Sequence, residues 1–196
     1  MPKRVDHDQR RREIAAAVWR LASTNGLEDV TLRKVAAEAG VSMRLVQYYF
    51  GTRHELLVKA LEILNADTSA QVQEQIPEGA TPQDVLRTVL LAMLPLDEQR
   101  RTRYLVHLAY FVRSLSDESL AGEFRDAPPL LERLVADLIG WGQAEGQVPA
   151  DVDTFVEAEL LLAAVDGLQT AVVLGQRSVE QTIALVDRLL DRLFTA

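Results

Sequence analysis

Apolar residues recur along this chain at the spacing of helix faces, whereas the alternating pattern of half-buried strands is nearly absent. The pattern predicts a first helix from Arg10 to Asn25, two short helices on either side of Gly40, and a long helix from Thr52 to about Gln75. Helical stripes continue through the rest of the chain, separated by loops rich in proline and glycine. We therefore predict an all-α protein.

The two short helices are bounded by residues suited to helix ends. Thr31 precedes the apolar positions of the first short helix, and its hydroxyl can accept a hydrogen bond from the first turn. Gly40 tolerates the backbone conformation of a tight turn. Ser42 is placed to cap the second short helix in the same way. The spacing predicts a helix, a tight turn and a second helix within about 20 residues.

The second short helix has one apolar face and one polar face. Val46 and Phe50 lie one turn apart and are predicted to point inward. The opposite face carries Met43, Arg44, Gln47 and Tyr48. Such side chains can contact base edges and phosphates in a DNA major groove. The arrangement indicates a helix-turn-helix motif with the second helix as its recognition helix.

The segment AEAGVSMRLVQYYFGTRHELL resembles the DNA-binding signature of the TetR family of bacterial transcriptional regulators. The resemblance covers about residues 10 to 57 and includes Gly40-Val41-Ser42, Tyr48-Tyr49-Phe50 and Arg53. Two positions depart from it, because many members have tyrosine at Gln47 and lysine at Arg53. It implies an N-terminal three-helix DNA-binding domain, residues 1–52, and a C-terminal helical ligand-binding and dimerisation domain, residues 53–196.

The motif supplies candidates for DNA contact. Arg44 is the first candidate for base-edge contact, followed by Gln47 and Met43. Tyr49 is a candidate for phosphate contact, although packing beneath the helix is an equal alternative. The full predicted set is Thr31, Ser42, Met43, Arg44, Gln47, Tyr48, Tyr49 and Arg53.

The charge distribution agrees with DNA binding by one end of the chain. The net charge is −8, but residues 1–60 hold 11 Lys and Arg against 7 Asp and Glu. The remaining residues hold 10 against 22. A basic end on an acidic body is expected where only one end meets phosphate. Lys3 and Arg4 add a possible basic arm, with an unstructured tail as the alternative.

Nothing in the composition points to secretion or to a membrane. The chain contains no cysteine, and its charged N-terminus has no apolar core of a signal peptide. No stretch reaches the roughly 18 apolar residues of a membrane span. We expect a cytoplasmic protein.

The segment from Phe155 to Leu174 is apolar on nearly every face, and a second stripe follows from Val179 to Leu193. A helix that is apolar all round must be buried all round. Two such helices from each of two chains would form a four-helix bundle, so we predict a homodimer. The alternative is a central helix covered wholly by its own chain. The resemblance to the TetR family, in which dimers through the last two helices are usual, favours the dimer. The segment QVPADVDTFVEAELLLAAVDGLQTAVVL resembles the body of the BetI-like branch of that family.

The family resemblance also implies a small-molecule effector in the C-terminal domain. Aromatic and adaptable side chains with polar tips suit such a pocket, although a stripe of this kind is also typical of plain core. The candidates are Met93, Tyr104, His107, Phe111 and Trp141.

The sequence lacks the patterns of a metal site and of a nucleotide-binding loop. His7, His54 and His107 are scattered without metal-ligand spacing, and the glycines around Trp141 do not form a dinucleotide-binding loop. The sequence therefore predicts no catalytic residue, no metal and no cofactor. An enzyme or a helical interaction module without DNA binding remains the alternative. Our prediction is a homodimeric TetR-like repressor that binds a palindromic operator and is released by a ligand.

Overall fold

The structure is a computed structural model that describes residues 7–194, apart from the side chains of residues 119, 123 and 125–128. Within this described part every regular element is helical and no strand occurs, which confirms the predicted all-α class. The possible arm at Lys3 and Arg4 lies outside the described residues.

Nine α-helices and one short 3₁₀ turn follow one another within residues 7–194. The 3₁₀ turn spans Leu27–Asp29. The α-helices are α1 His7–Asn25, α2 Leu32–Glu38, α3 Met43–Phe50, α4 Arg53–Gln75, α5 Pro82–Met93, α6 Glu98–Ser114, α7 Glu118–Ala144, α8 Thr154–Val173 and α9 Val179–Leu193.

Contacts between Cα atoms divide the chain into two compact units. The first unit comprises the described residues up to Ala70 together with Leu105–Leu120, and the second comprises Gln71–Tyr104 and the described residues from Ala121 onward. The first unit buries one face of each of its helices. These faces include Ile14, Val18, Val35, Val46, Phe50, Leu57, Leu61, Val106 and Tyr110.

The second unit has a core formed by α5, α7, α8 and α9. Leu90 of α5, Ile139 of α7, Val165 of α8 and Val186 of α9 are all fully buried in it. Asp153 caps α8 by accepting hydrogen bonds from the N–H groups of Phe155 and Val156.

Two helices, α1 and α7, differ from what the sequence pattern favours. Helix α1 already includes His7, ahead of the predicted start at Arg10. Helix α7 continues through Pro128 and Pro129, although proline is unfavourable in the interior of a helix. Each proline removes its own N–H from the helical ladder and crowds the carbonyl four residues earlier, while the hydrogen bonds of the flanking turns keep this stretch helical. In residues 7–194, no helix has both the length and the apolar character that crossing a membrane requires.

Tyr110 of α6 connects two helices of the first unit through a buried hydrogen bond. Its side chain is 0% exposed, and its hydroxyl donates to the carbonyl oxygen of Leu57 in α4 at 2.8 Å. Burial raises the pKa of Tyr110 well above the ordinary value of a tyrosine. The neutral hydroxyl is thus the form that the folded state stabilises.

We expect Tyr110→Phe to lower the free energy of unfolding by about 1 kcal/mol near neutral pH, because the bond to Leu57 is lost. Tyrosine in the unfolded chain ionises near pH 10, whereas buried Tyr110 stays neutral there. The stability that Tyr110 contributes is therefore present below about pH 10 and is lost as the pH rises further. Urea unfolding at about pH 7 and about pH 11 should show the wild type losing its advantage over Tyr110→Phe.

Tyr48→Phe is the matched control, because the Tyr48 side chain is 73% exposed. This control should follow the wild type at both pH values. A difference between the wild type and Tyr110→Phe that is the same at both pH values would contradict the assignment.

Candidate DNA-binding site

Helices α2 and α3 are each fixed at their N-terminal end by a side-chain cap. The hydroxyl of Thr31 accepts a hydrogen bond from the Lys34 N–H at 3.2 Å, and the hydroxyl of Ser42 accepts one from the Leu45 N–H at 3.2 Å. Gly40 adopts a left-handed backbone with φ of 66°, which an L-residue side chain would oppose. The predicted helix, glycine turn and helix are therefore confirmed as local structure.

Helix α3 separates its buried and exposed positions as the sequence pattern predicts. Val46 and Phe50 are buried. The exposed positions are Met43, Arg44, Gln47 and Tyr48. This face presents a guanidinium, an amide, a thioether and a phenol to solvent, which are groups able to contact bases and phosphates.

Tyr49 is packed against α1 instead of pointing outward. Its side chain is 8% exposed, and its hydroxyl lies 2.9 Å from Nδ1 of His7. The guanidinium of Arg11 lies 5.8 Å from the centre of the Tyr49 ring. Of the two open possibilities for Tyr49, packing is the one observed, and Tyr48 is left as the exposed ring of the pair.

Arg53 binds backbone carbonyls within its own chain. Its Nε donates to the carbonyl oxygen of Val30 at 2.6 Å, and its Nη2 donates to that of Leu27 at 2.6 Å. These bonds connect the first residue of α4 to the segment preceding α2. The predicted phosphate contact of Arg53 stays a prediction, and the structural role was missed because the two carbonyls are 23 and 26 residues away.

The N-terminus of α4 is occupied by a carboxylate. Glu55 accepts hydrogen bonds from the N–H of Thr52 at 2.8 Å and from its hydroxyl at 2.9 Å. Both bonds lower the pKa of the Glu55 carboxyl, and the bond from the backbone N–H has the larger effect. Gly51 has φ of 79°, and a Cβ on it would lie 2.3 Å from a Glu55 carboxylate oxygen. A helix N-terminus attracts anions, and at α4 this position already holds the carboxylate of Glu55.

Most basic residues of the first unit have carboxylate partners. The ion pairs are Arg10–Glu13, Arg11–Asp8, Arg12–Asp67, Arg20–Glu38, Lys34–Asp29 and Arg113–Glu28. Arg44 of α3 and Arg33 of α2 are exposed and form no ion pair within the described residues. Both guanidiniums are therefore available to phosphates or bases. The sequence pattern did not single out Arg33, because it does not reveal which arginines are paired.

The five candidates for effector contact fall in both compact units. Met93, Tyr104 and Trp141 belong to the second unit, and His107 and Phe111 belong to the first. Tyr104 places its hydroxyl 3.3 Å from the hydroxyl of Thr170 in α8. Trp141 and Phe111 are exposed.

The second unit contains a small polar cavity of about 60 Å³. None of the five effector candidates lines it, and Arg100, Arg103 and Asp97 do. Drug-sized ligands occupy pockets of roughly 300 to 1,000 Å³, so this cavity is too small for such a ligand. The assignment of effector contacts stays a prediction. In the described part of the chain, no group of three His, Cys, Asp or Glu side chains is arranged to hold a metal ion.

Helix α8 is buried on one side only. Ala158, Leu161, Val165 and Leu168 face the core of the second unit. The opposite side exposes large apolar residues, with Leu160 59% exposed and Leu174 65% exposed. Residues 7–194 therefore leave this side of α8 uncovered, contrary to the alternative of a wholly intramolecular core.

Comparison with known proteins places these features in a family. Residues 14–60 match the family described as bacterial regulatory proteins, tetR family, and residues 82–195 match the one described as BetI-type transcriptional repressor, C-terminal. The HTH-type transcriptional regulator PksA of Bacillus subtilis is 30% identical over 173 residues, which span 86% of this chain and 80% of that protein.

Solved structures agree with the sequence matches. A transcriptional regulator from Rhodococcus sp. Rha1 superposes with a TM-score of 0.78 at 29% identity, covering 94% of this chain and 96% of that one. A regulator from Saccharomonospora viridis, solved in complex with choline, has a TM-score of 0.78 at 25% identity over 94% of this chain and 96% of that one.

The capped helix-turn-helix, the exposed face of α3 and the two family matches lead to one assignment. The chain belongs to the TetR family of bacterial transcriptional regulators, and its C-terminal part is of the BetI repressor type.

Proposed function

We propose that this regulator is a ligand-responsive repressor that binds a palindromic operator as a homodimer. The observation that carries the proposal is the exposed face of α3, on which Arg44 has no ion-pair partner in the described residues. A guanidinium on a recognition helix can bind both acceptors of a guanine edge at once. Arg44 is therefore assigned to base contact, with Gln47 and Met43 beside it. Thr31 and Tyr48 are assigned to phosphate contact.

The dimer is proposed through the exposed face of α8 together with α9. Apolar side chains such as Phe155, Leu160 and Leu174 are exposed there, and their burial against a second copy would be favourable by about 25 cal/mol per Å². Two copies related by a two-fold axis would place two recognition helices on half-sites one DNA turn apart. A palindromic operator follows from that symmetry.

The effector is proposed to bind in a C-terminal domain of residues 53–196, with residues 1–52 as the DNA-binding domain. Its proposed contacts are Met93, Tyr104, His107, Phe111 and Trp141. Choline in the Saccharomonospora viridis regulator supports a small organic effector, and aromatic rings suit a quaternary ammonium group. The proposed role involves no catalysis and places the protein in the cytoplasm, where bacterial DNA is transcribed.

Release of DNA is proposed to follow a two-state mechanism. Effector binding would change the tilt of α4 and move the two recognition helices out of half-site register. The effector can shift operator affinity only by its differential affinity for the two states. A small molecule that binds tightly and leaves operator affinity unchanged would contradict this coupling.

Arg44→Ala tests the proposed function. We expect it to weaken operator binding by about 1 to 3 kcal/mol per half-site, because a bidentate base contact is lost. Fluorescence anisotropy on DNA from upstream of the protein's own gene, with competitor DNA and across salt concentrations, measures the change.

Arg101→Ala is the control for Arg44→Ala, because Arg101 is also exposed but lies on α6. The control should bind as the wild type does. If both variants bind DNA weakly and without sequence preference, a genome-wide selection for bound DNA decides whether the tested DNA lacks the operator. If that selection also finds no preferred sequence, α3 has no sequence-specific role.

Arg53→Ala separates a structural role from a phosphate contact. We expect the free energy of unfolding to fall by about 2 kcal/mol, because two charge-assisted hydrogen bonds to carbonyls are lost. Arg44→Ala should change it by less than about 0.5 kcal/mol, as for an exposed residue. Urea unfolding measures both. If Arg53→Ala leaves the stability unchanged and lowers the salt dependence of DNA binding by the amount expected for about one phosphate contact, the phosphate contact is supported instead.

Leu160→Glu tests the dimer. A carboxylate in the proposed apolar interface should raise the dimer dissociation constant at least about tenfold, because an unpaired charge would be buried there. Sedimentation velocity over a concentration series measures it. Val112→Glu is the control, since Val112 is a similarly exposed apolar residue on α6. If only the control dissociates, the interface lies elsewhere.

A further inference from the structure

The first turn of α1 is connected to α3 by a contact between two rings. Nδ1 of His7, the first residue of α1, lies 2.9 Å from the hydroxyl of Tyr49 in α3, 42 residues later in the chain. The ring centroids are 5.7 Å apart, and the ring planes are tilted by 53°. His7 is exposed, whereas Tyr49 is buried. The contact therefore joins the exposed start of α1 to a buried residue of the recognition helix.

Arg11 contacts the same ring from the next turn of α1. It lies four residues after His7, which places both side chains on one face of the helix. Its guanidinium is 5.8 Å from the centre of the Tyr49 ring, within the range of a cation–π contact. Nη1 of Arg11 also lies 2.9 Å from a carboxylate oxygen of Asp8, which restrains the guanidinium. The Tyr49 ring is thus held at two points, one helical turn apart.

The exposed ring of Tyr48 packs against the Tyr49 ring. Their centroids are 5.2 Å apart, and their planes are nearly perpendicular, at 83°. Edge-to-face packing of this kind is a favoured geometry for aromatic pairs. The Tyr48 hydroxyl forms no hydrogen bond within the described residues 7–194. The contact with Tyr49 therefore restrains the position of this hydroxyl.

Restraint of the Tyr48 ring bears directly on DNA binding. An exposed ring without such a contact would populate several side-chain rotamers. Ordering it on DNA would then cost conformational entropy, which a ring already held in place avoids. The bond from His7 survives in both charge states of the imidazole, because a tyrosine hydroxyl can donate to the neutral ring or accept from the protonated one. The restraint on Tyr48 therefore does not depend on a positive charge at His7.

We propose that His7 is a positioning residue of the DNA-binding surface. By holding Tyr49 between α1 and α3, it sets the exposed ring of Tyr48 for contact with a DNA phosphate. The inference rests on the phosphate contact proposed for Tyr48 and adds the residue that orients it.

Three substitutions test the positioning role on operator DNA. His7→Ala removes the imidazole, and Tyr49→Phe removes only the hydroxyl that the imidazole contacts. Each should raise the dissociation constant for a two-half-site operator on the order of tenfold, and combining them should add little, because both remove the same bond. His7→Asn should bind as the wild type does, since its amide places a polar atom two bonds from Cβ, as Nδ1 is, and can donate or accept. Fluorescence anisotropy measures each affinity.

Tyr48→Ala identifies the residue through which His7 acts. In this background, His7→Ala should alter the dissociation constant by less than about twofold, because no ring is left to position. Gln9→Ala is the matched control, since Gln9 is exposed in the same turn of α1 but, two residues from His7, lies on another face. The control should bind as the wild type does. Urea unfolding of every variant shows whether a loss of affinity comes from unfolding.

A second measurement needs no DNA. In the free protein, the neighbouring Tyr49 ring should displace the NMR shifts of the Tyr48 ring protons. His7→Ala should move these shifts toward those of an unstructured tyrosine, and His7→Asn should restore them. Tyr48→Phe assigns the signals, because it removes the tyrosine resonances of that residue.

The outcomes separate the positioning role from the proposed function. If His7→Ala binds the operator as the wild type does, or leaves the Tyr48 resonances unchanged, the positioning role is wrong while the repressor stands. An undiminished effect of His7→Ala in the Tyr48→Ala background has the same meaning. If His7→Asn binds as weakly as His7→Ala while His7→Lys binds as the wild type does, His7 contacts phosphate as a cation and the positioning role is wrong. If the wild type prefers no DNA sequence, the proposed function is wrong, and the NMR shifts alone decide whether His7 positions Tyr48.

Discussion

The two hydrogen bonds from Arg53 to the carbonyl oxygens of Val30 and Leu27 are the constraint on which the DNA-binding unit depends. They hold the first residue of α4 to the segment that precedes α2. The caps at Thr31 and Ser42 then fix where α2 and α3 begin. Because the Arg53 hydrogen bonds hold the start of α4 to the segment before α2, a change in the tilt of α4 would be transferred to α2 and α3. This physical connection is what the proposed release mechanism requires.

Ion pairs within the first unit decide which of its basic residues remain available to DNA. Most arginines of the first unit are neutralised by nearby carboxylates, and surface pairs of this kind contribute little stability. Each pair offsets one positive charge of the first unit. Arg44 and Arg33 then stand out as guanidiniums without an ion pair in the described residues. A focused positive site favours one orientation on DNA over non-specific attachment.

In the second unit, one helix meets two different requirements. The buried side of α8, with Leu161 and Val165, packs into the core with α5, α7 and α9. Its other side exposes large apolar residues such as Leu160 and Leu174, together with the carboxylates of Glu159 and Asp166. Apolar area supplies the driving force for association, whereas charges decide which surface is met and in what register.

The sequence by itself determined the features that depend on local chemistry. Helix spacing, the caps at Thr31 and Ser42 and the left-handed turn at Gly40 each depend on residues close together in the chain, so the sequence alone predicts them. The opposite faces of α3 follow from the same periodicity. The family assignment follows from those local signals, because the motif is contiguous.

Only the tertiary structure decided which partner each side chain finds. It placed Tyr49 against His7, bound Arg53 to carbonyls and engaged Asp187 with Arg87, 100 residues away. It also showed that α8 stays uncovered on one side, where the pattern left intramolecular burial open. These outcomes depend on contacts between residues distant in the chain, and periodicity carries no information about such contacts.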